Sequence, residues 1–409
     1  MIRKDAERII KASLASCMPD EAVRRALSSF EMPEGKLVLV SIGKAGWQMA
    51  SAASKILGEK IDDGIVVTKY GHSMGALPHM EIIEAGHPVP DRNSFLGAEK
   101  AIGKVRDLGA EDAVIFLISG GGSALFEKPL VSGEELEDIT KQLLASGAGI
   151  VEMNTIRKRL SGVKGGRFAE IASPARVFSV VLSDVIGDPL DMIASGPAHP
   201  DSSTSADALR IADKYGLRLS DGAKALLSKE TPKTLSNVET MITGSVRELC
   251  EAARKEAGRL GYETTVLTDS LTCEAREAGS FLASIAAYND GARKPLCFIA
   301  GGETVVHLTG HGKGGRNQEL ALSAARGISG MKDTCIFSLG SDGTDGPTDA
   351  AGGYVDGTTE ERLSECGISI DRVLSENDAY TALASSDGLI MTGPTGTNVN
   401  DVAVLLIRR

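Results

Sequence analysis

The strongest constraint on this chain is a rhythm: short β-branched runs alternate with amphipathic helical segments over most of its length. KLVLVSIG is followed by the helical KAGWQMASAASKILG, then by GIVVTKY, MEIIEAG and the helical SFLGAEKAIGKVRDLG. AVIFLISGGG, the helical EELEDITKQLLASG and EMNTIRKRLSG, and the strand VFSVVLSD continue the series. This pattern predicts βαβ units and an α/β fold with a doubly wound, largely parallel sheet. Ligands of such a sheet sit beyond the carboxyl ends of its strands. The proline-rich stretch GDPLDMIASGPAHPDSSTS interrupts the rhythm before SVRELCEAARKEAGRLG and YETTVLTD start a second α/β run. Two domains are therefore expected, 1–240 and 241–409, with the last strand able to return to the first domain.

Composition narrows the class of partner. Hydrophobic residues make up 42% and charged residues 24%, as in ordinary globular proteins. The formal net charge is −11 with no basic block, so nucleic acid and anionic membranes are not expected partners. Six scattered cysteines have no metal-ligand spacing and read as reduced thiols of a cytoplasmic protein. Acidic and basic residues interrupt the N-terminal segment MIRKDAERIIKASLAS, which reads as a helix and not as a signal peptide.

The loops after strands carry the candidate chemistry. After VIFLI, the run Ser119, Gly120, Gly121, Gly122 and Ser123 lets the backbone approach a ligand and aim N–H groups at an anion. Lys44 stands between a strand and a helix start, where a cation opposes the helix dipole by roughly 0.3–1 kcal/mol, a small cost that points to use. Gly310, Gly312 and Gly315 match G-x-G-x-x-G, with an expected strand before and helix after, so a dinucleotide fingerprint has to be weighed. Lys313 and Arg316 within that loop suit a phosphoryl group or carboxylate better, and no acidic residue closes the following strand. Asp184 at the tip of a strand fits Mg²⁺ binding or orientation of a hydroxyl, whereas Asp188 before Pro189 fits a turn and Asp191 is not favoured for function. LGSDGTDGPTDAAGG lacks the ligand spacing of an EF-hand and reads as a site rim, with Asp342 and Asp345 as candidates and Asp349 as structural. GHSMG around Ser73 matches a nucleophile elbow without the helix that an elbow opens, and the six histidines offer no zinc set.

SIGKA, ISGGGSALFE, MNTIRKRLSGVKGGR, VLSDVIGDPLDMIASGPAHPD, GGETVVHLTGHGKGGRNQELAL, SDGTDGPTDAAGGYVD and GPTGTNVNDV, taken in order, resemble the glycerate 2-kinase family, whose C-terminal part is called the MOFRL domain. The resemblance covers nearly the whole chain. It implies transfer of phosphate from ATP, with Mg²⁺ or another divalent cation, to the 2-hydroxyl of D-glycerate. It also implies a larger N-terminal and a smaller C-terminal α/β domain, with the active site in the cleft between them. By motif, Lys44 and Arg316 carry activity; Asp184, from its place at a strand tip, is expected to orient the hydroxyl or hold metal. Ser119 to Ser123, Asn154, Arg157, Gly312, Gly314 and Gly315 form the expected phosphate or substrate set. Glu303, Asp342 and Asp345 are further metal candidates. Small molecules are the expected partners of a monomer or homodimer. The competing readings are an NAD(P)-dependent hydroxypyruvate reductase, resting on Gly310, Gly312 and Gly315, and a non-catalytic sugar-acid binding protein.

Overall fold

The structure is a computed structural model describing all of residues 1–409. The chain forms two compact units: Ala22–Thr243, and Met1–Glu21 together with Gly244–Arg409.

In the first unit, β1 (Leu37–Ile42), β2 (Asp63–Lys69), β3 (Met80–Ala85), β4 (Ala113–Ile118), β5 (Arg176–Leu182) and β6 (Val238–Gly244) form one sheet in the order β3-β2-β1-β4-β5-β6. The pairs β3–β2, β2–β1, β1–β4 and β4–β5 are parallel. Every residue of β1 and β4 is buried, which is why these strands read as continuous apolar runs and not as alternating ones. Val40, Ile42, Phe116 and Ile118 belong to the core on one face. Phe116, Phe126 and Phe168 pack with ring centroids 4.7–6.0 Å apart and anchor the segment that leaves β4. The helices Gly133–Ala145, Ile150–Arg159, Ser205–Lys214 and Asp221–Leu227 carry a separate small core containing Leu136, Leu143, Ile156 and Ile211.

The second unit has β7 (Glu263–Leu271), β8 (Leu296–Gly302), β9 (Thr334–Gly340), β10 (Gly352–Asp356), β11 (Leu389–Ile390) and β12 (Asp401–Ile407), in the order β11-β10-β9-β12-β8-β7. Only β7–β8 is a parallel pair, and β12 is antiparallel to both β8 and β9. Two expectations change here. The last strand does not return to the first domain: β12 is wholly buried between β8 and β9, where a seven-residue apolar strand has neighbours on both edges. The N-terminal helix Ile2–Ser16, expected in the first domain, belongs to the second unit. It buries Ile2, Ala6, Ile9 and Ile10, packs on the helix Val246–Arg259, and is pinned by Tyr262 Oη to Asp5 (2.8 Å) and Arg8 to Glu256 (2.7 Å).

Candidate active site

In the first sheet the chain moves outward from β1 to β2 and β3, then crosses back to begin β4 on the other side of β1. Neighbouring loops after β1 and β4 therefore diverge from a switch point, where an open α/β sheet leaves a crevice. The loop after β1 carries Lys44 and the loop after β4 carries Ser119 to Ser123. Lys44 N donates to Gly120 O (2.9 Å), Ala45 N donates to Ser119 Oγ (3.1 Å), and Ser119 Oγ donates to Ile42 O (3.1 Å). The Ser119 hydroxyl thus ties one loop to the other, and at 2% exposure it is a brace and not a ligand donor.

The glycines of this loop make room for functional side chains. Gly121 has φ +84°, and a Cβ there would press on the His87 ring and the Lys44 side chain at 3.0–3.2 Å. A Cβ on Gly120 would collide with the Asp184 carboxylate, and one on Gly122 would meet Ala194. Lys44, His87 and Asp184 consequently gather on one short stretch of backbone. The Lys44 ammonium has no carboxylate partner within the ion-pair distances of the structure, while its carbonyl is bonded to His72 Nδ1 (3.0 Å). Burial, then the positive charges of Lys44, Lys69 and His72, push His87 below the ordinary histidine range. His72 and His87 were not found by sequence reasoning; neither has a spacing that marks it.

Behind the loop lies a chain of buried and half-buried polar groups. Ser123 Oγ meets Ser195 Oγ (3.1 Å), Ser195 Oγ donates to Asn154 Oδ1 (3.1 Å), and Arg157 Nη2 donates to Ser123 O (3.1 Å). Asn154, expected in the ligand set, is 3% exposed and braces Ser195. Ala194 and Ser195 hold φ of +50° and +61°, strain that non-glycine residues bear where surrounding structure enforces it. Lys158 reaches Asp191 (3.2 Å) and Asp201 (3.1 Å), and Lys164 reaches Glu127 (2.6 Å), with both lysines fully buried. Asp191, not favoured for function in the sequence, is therefore an ion-pair partner.

In the second unit, the register places Asp401 opposite both Gly302 and Gly340, so the ends of β8 and β9 meet the start of β12. Arg316 opens the helix Arg316–Ala325 there. Its Nε and Nη2 bind Asp401 (2.5 and 3.0 Å) and its Nη1 binds Glu303 (2.8 Å). Burial alone would lower the Arg316 pKa; the Asp401 and Glu303 carboxylates more than reverse this and hold it above the usual value. Asp401 and its neighbour Asn400, which bonds Glu303 (3.2 Å), were not singled out in the sequence. The GPTGTNVNDV block was the available signal.

The remaining candidates are engaged by the protein itself. The Asp345 carboxylate accepts from Asn317 N (3.2 Å) and Gln318 N (2.8 Å), capping the helix, and Gly315 lacks a Cβ where that carboxylate enters. Burial pushes Asp345 up to about 6, with the backbone N–H groups of Gln318 and Asn317 pulling the other way. Gly312 N donates to Glu376 O (2.7 Å), and Gly312 and Gly314 pack on the Glu376–Ala379 backbone, so close packing accounts for these glycines. Asp342 Oδ1 accepts from Thr344 N (3.0 Å) in a local turn, and Asp349 accepts from Tyr380 Oη (2.8 Å). No three His, Cys, Asp or Glu side chains stand together as a metal-holding group.

The dinucleotide fingerprint loses its context. No strand precedes Gly310, because β8 ends at Gly302 and VVHLT is irregular. β8 and β9 are separated by antiparallel β12, and the helix N-terminus that would hold a pyrophosphate holds Asp345. At Ser73 no helix follows, and the loop is bonded to Glu84.

Comparison with known proteins agrees along the whole chain. Residues 5–228 match the family described as a domain of unknown function, DUF4147, and residues 296–401 match the MOFRL family. A D-glycerate 2-kinase of Thermotoga maritima is 52% identical over 99% of this chain and 98% of its own length. A protein of Agrobacterium vitis with the provisional name hydroxypyruvate reductase is 43% identical, over 91% of this chain and all of its own. The crystal structure of a glycerate kinase from Thermotoga maritima superposes with a TM-score of 0.94 at 52% identity, covering 99% of each chain.

Proposed function

We propose, from the premise that this chain belongs to the glycerate kinase family built of a DUF4147 and a MOFRL domain, that it phosphorylates D-glycerate at the 2-hydroxyl with ATP, giving 2-phosphoglycerate. The observation that carries the reading within the fold is the gathering of an unpaired lysine, a carboxylate and a glycine-opened loop at the switch point of the first sheet.

Phosphoryl transfer asks a protein mainly for positioning and charge neutralisation. The 2-hydroxyl oxygen of glycerate bonds to the γ-phosphorus while the bond from that phosphorus to the β,γ-bridging oxygen breaks. The hydroxyl proton is released, and Asp184 is the carboxylate suited to accept it. Lys44 neutralises charge on the transferring group, and the backbone N–H groups of Gly120, Gly121 and Ser123 face an anionic group, those of Ser119 and Gly122 being bonded within the protein. Arg316, oriented by Asp401 and Glu303, keeps a guanidinium suited to an anionic group. Mg²⁺ fits this donor set: it is usually held by one or two carboxylates plus phosphate oxygens and waters, so a three-carboxylate cluster is not required. Asp184 would hold it in place of accepting the proton, and when bound it supplies neutralisation of the nucleotide phosphates. Of the other candidates, Glu303 and Asp345 are committed to Arg316 and to a helix cap. Six unpaired cysteines support a reducing compartment such as the cytoplasm.

The test is an assay of the purified chain with ATP, Mg²⁺ and D-glycerate, coupled to enolase with no mutase present. Product entering enolase directly is the 2-phosphate. Oxidation of NADH or NADPH on hydroxypyruvate without any such product would overturn the kinase reading in favour of the reductase name carried by some relatives.

A further inference from the structure

Beside the Lys44 loop, within residues 22–243, lies a cavity of about 510 Å³ walled by Val89, Phe95, Leu136 and Leu144 and bordered by Pro88 and Arg157. Nothing in the proposed handling of a three-carbon acid uses it, and its size suits a cofactor-sized ligand. Two of its apolar residues are left in water: Val89, in the loop before the helix Arg92–Val105, is 58% exposed, and Leu144, near the end of the helix Gly133–Ala145, 62%. The cavity adjoins the anion loop through two of its residues. Pro88 follows His87, whose ring lies against Gly121, and Arg157, a lining residue, donates to Ser123 O at 3.1 Å.

A ligand filling both places carries multiple negative charge at one end and a flat, weakly polar body at the other. Phe95 and the Arg157 guanidinium supply planes on which a heterocycle stacks, Val89, Leu136 and Leu144 supply apolar walls, and Asp91, Glu134, Glu137 and Lys141 add polar groups to the lining. We propose that this cavity receives the base and ribose of the nucleoside triphosphate whose phosphates reach the Ser119–Ser123 loop. The proposal rests on the ATP-kinase reading and goes beyond it by placing the nucleoside wholly on the first unit, between the start of the helix Arg92–Val105 and the helix Gly133–Ala145.

The experiment uses the full chain in two arms. Photolabelling with 8-azido-ATP, followed by peptide mapping, is expected to put the adduct within residues 88–95 or 133–144, and excess ATP is expected to prevent it. Leu144→Asp, at a position exposed enough to leave folding intact, is expected to raise KM for ATP about ten-fold without changing KM for D-glycerate. A label confined to other peptides, or a KM for ATP within two-fold of wild type in a folded L144D protein, overturns the nucleoside site while leaving the kinase reading standing. A wild-type chain that makes no 2-phosphoglycerate from ATP overturns that reading instead, and this placement with it.

Discussion

Lys44 and Arg316 are both cations at the start of helices, yet their surroundings differ in the one respect that decides what their removal does. Lys44 has no ion-pair partner and leans on Gly121, so its charge is free to meet an anion. Arg316 is held bidentately by Asp401, itself 6% exposed, and by Glu303. Lys44→Ala is therefore expected to lower kcat/KM for ATP and D-glycerate by about 100-fold or more while leaving the urea unfolding midpoint unchanged. Arg316→Ala is expected to lose activity and also about 2–3 kcal/mol of stability, because it strands the Asp401 carboxylate; the loss is smaller than for a fully buried pair because Arg316 keeps 34% side-chain exposure. Equal stability losses in the two variants would contradict this division. The sequence pointed to both positions by motif, but it could not tell a free cation from a paired one, because the pairing carboxylates lie 13 and 85 residues away.

At the scale of elements, the glycine loops illustrate how one sequence signal covers two physical causes. After β4 the glycines admit Lys44, His87 and Asp184 to the backbone, whereas between Gly310 and Gly315 they admit the protein's own Glu376–Asp378 segment and the Asp345 carboxylate. Both runs look alike in sequence because a missing Cβ permits any close approach. The Asp345 cap gives a measurable consequence. Its folded pKa, raised to about 6, means the folded state holds this proton more tightly than the unfolded chain does. Its contribution is thus most favourable at low pH and is lost as pH rises from about 4 through 6. The stability of wild type relative to Asp345→Asn is expected to fall by about 2–3 kcal/mol over that interval, read from urea unfolding at successive pH values. A difference that rises with pH would mean that the helix N–H groups outweigh burial at this carboxyl. Most strands and helices were legible in the sequence, since β1, β4, β5 and β9 are compact apolar runs bounded by glycine or polar residues. VVHLT failed as a strand because its apolar pattern is satisfied by packing Val306 on the core without a ladder partner of any length.

For the molecule as a whole, the division of the chain does not follow its order. The helix Ile2–Ser16 completes the unit formed by residues 244–409, burying Ile9 completely. Ile9→Ala is expected to cost about 2–4 kcal/mol and to speed hydrogen exchange in the helix Val246–Arg259 and in β9, while β1 and β4 keep their protection. Equal deprotection of β1 and β4 would sink the assignment of this helix to the second unit. The sequence alone determined the α/β class, the strand-end position of the loops after β1, β4, β5 and β9 and, through seven ordered motif blocks, the family, because these depend on local periodicity and on residue identity at short range. Tertiary structure decided which unit the first helix joins, where β12 pairs, and which polar candidates remain open to a ligand. Those outcomes depend on contacts between residues tens to hundreds of positions apart, and an aspartate that caps a helix has the same letter as one that faces a phosphate.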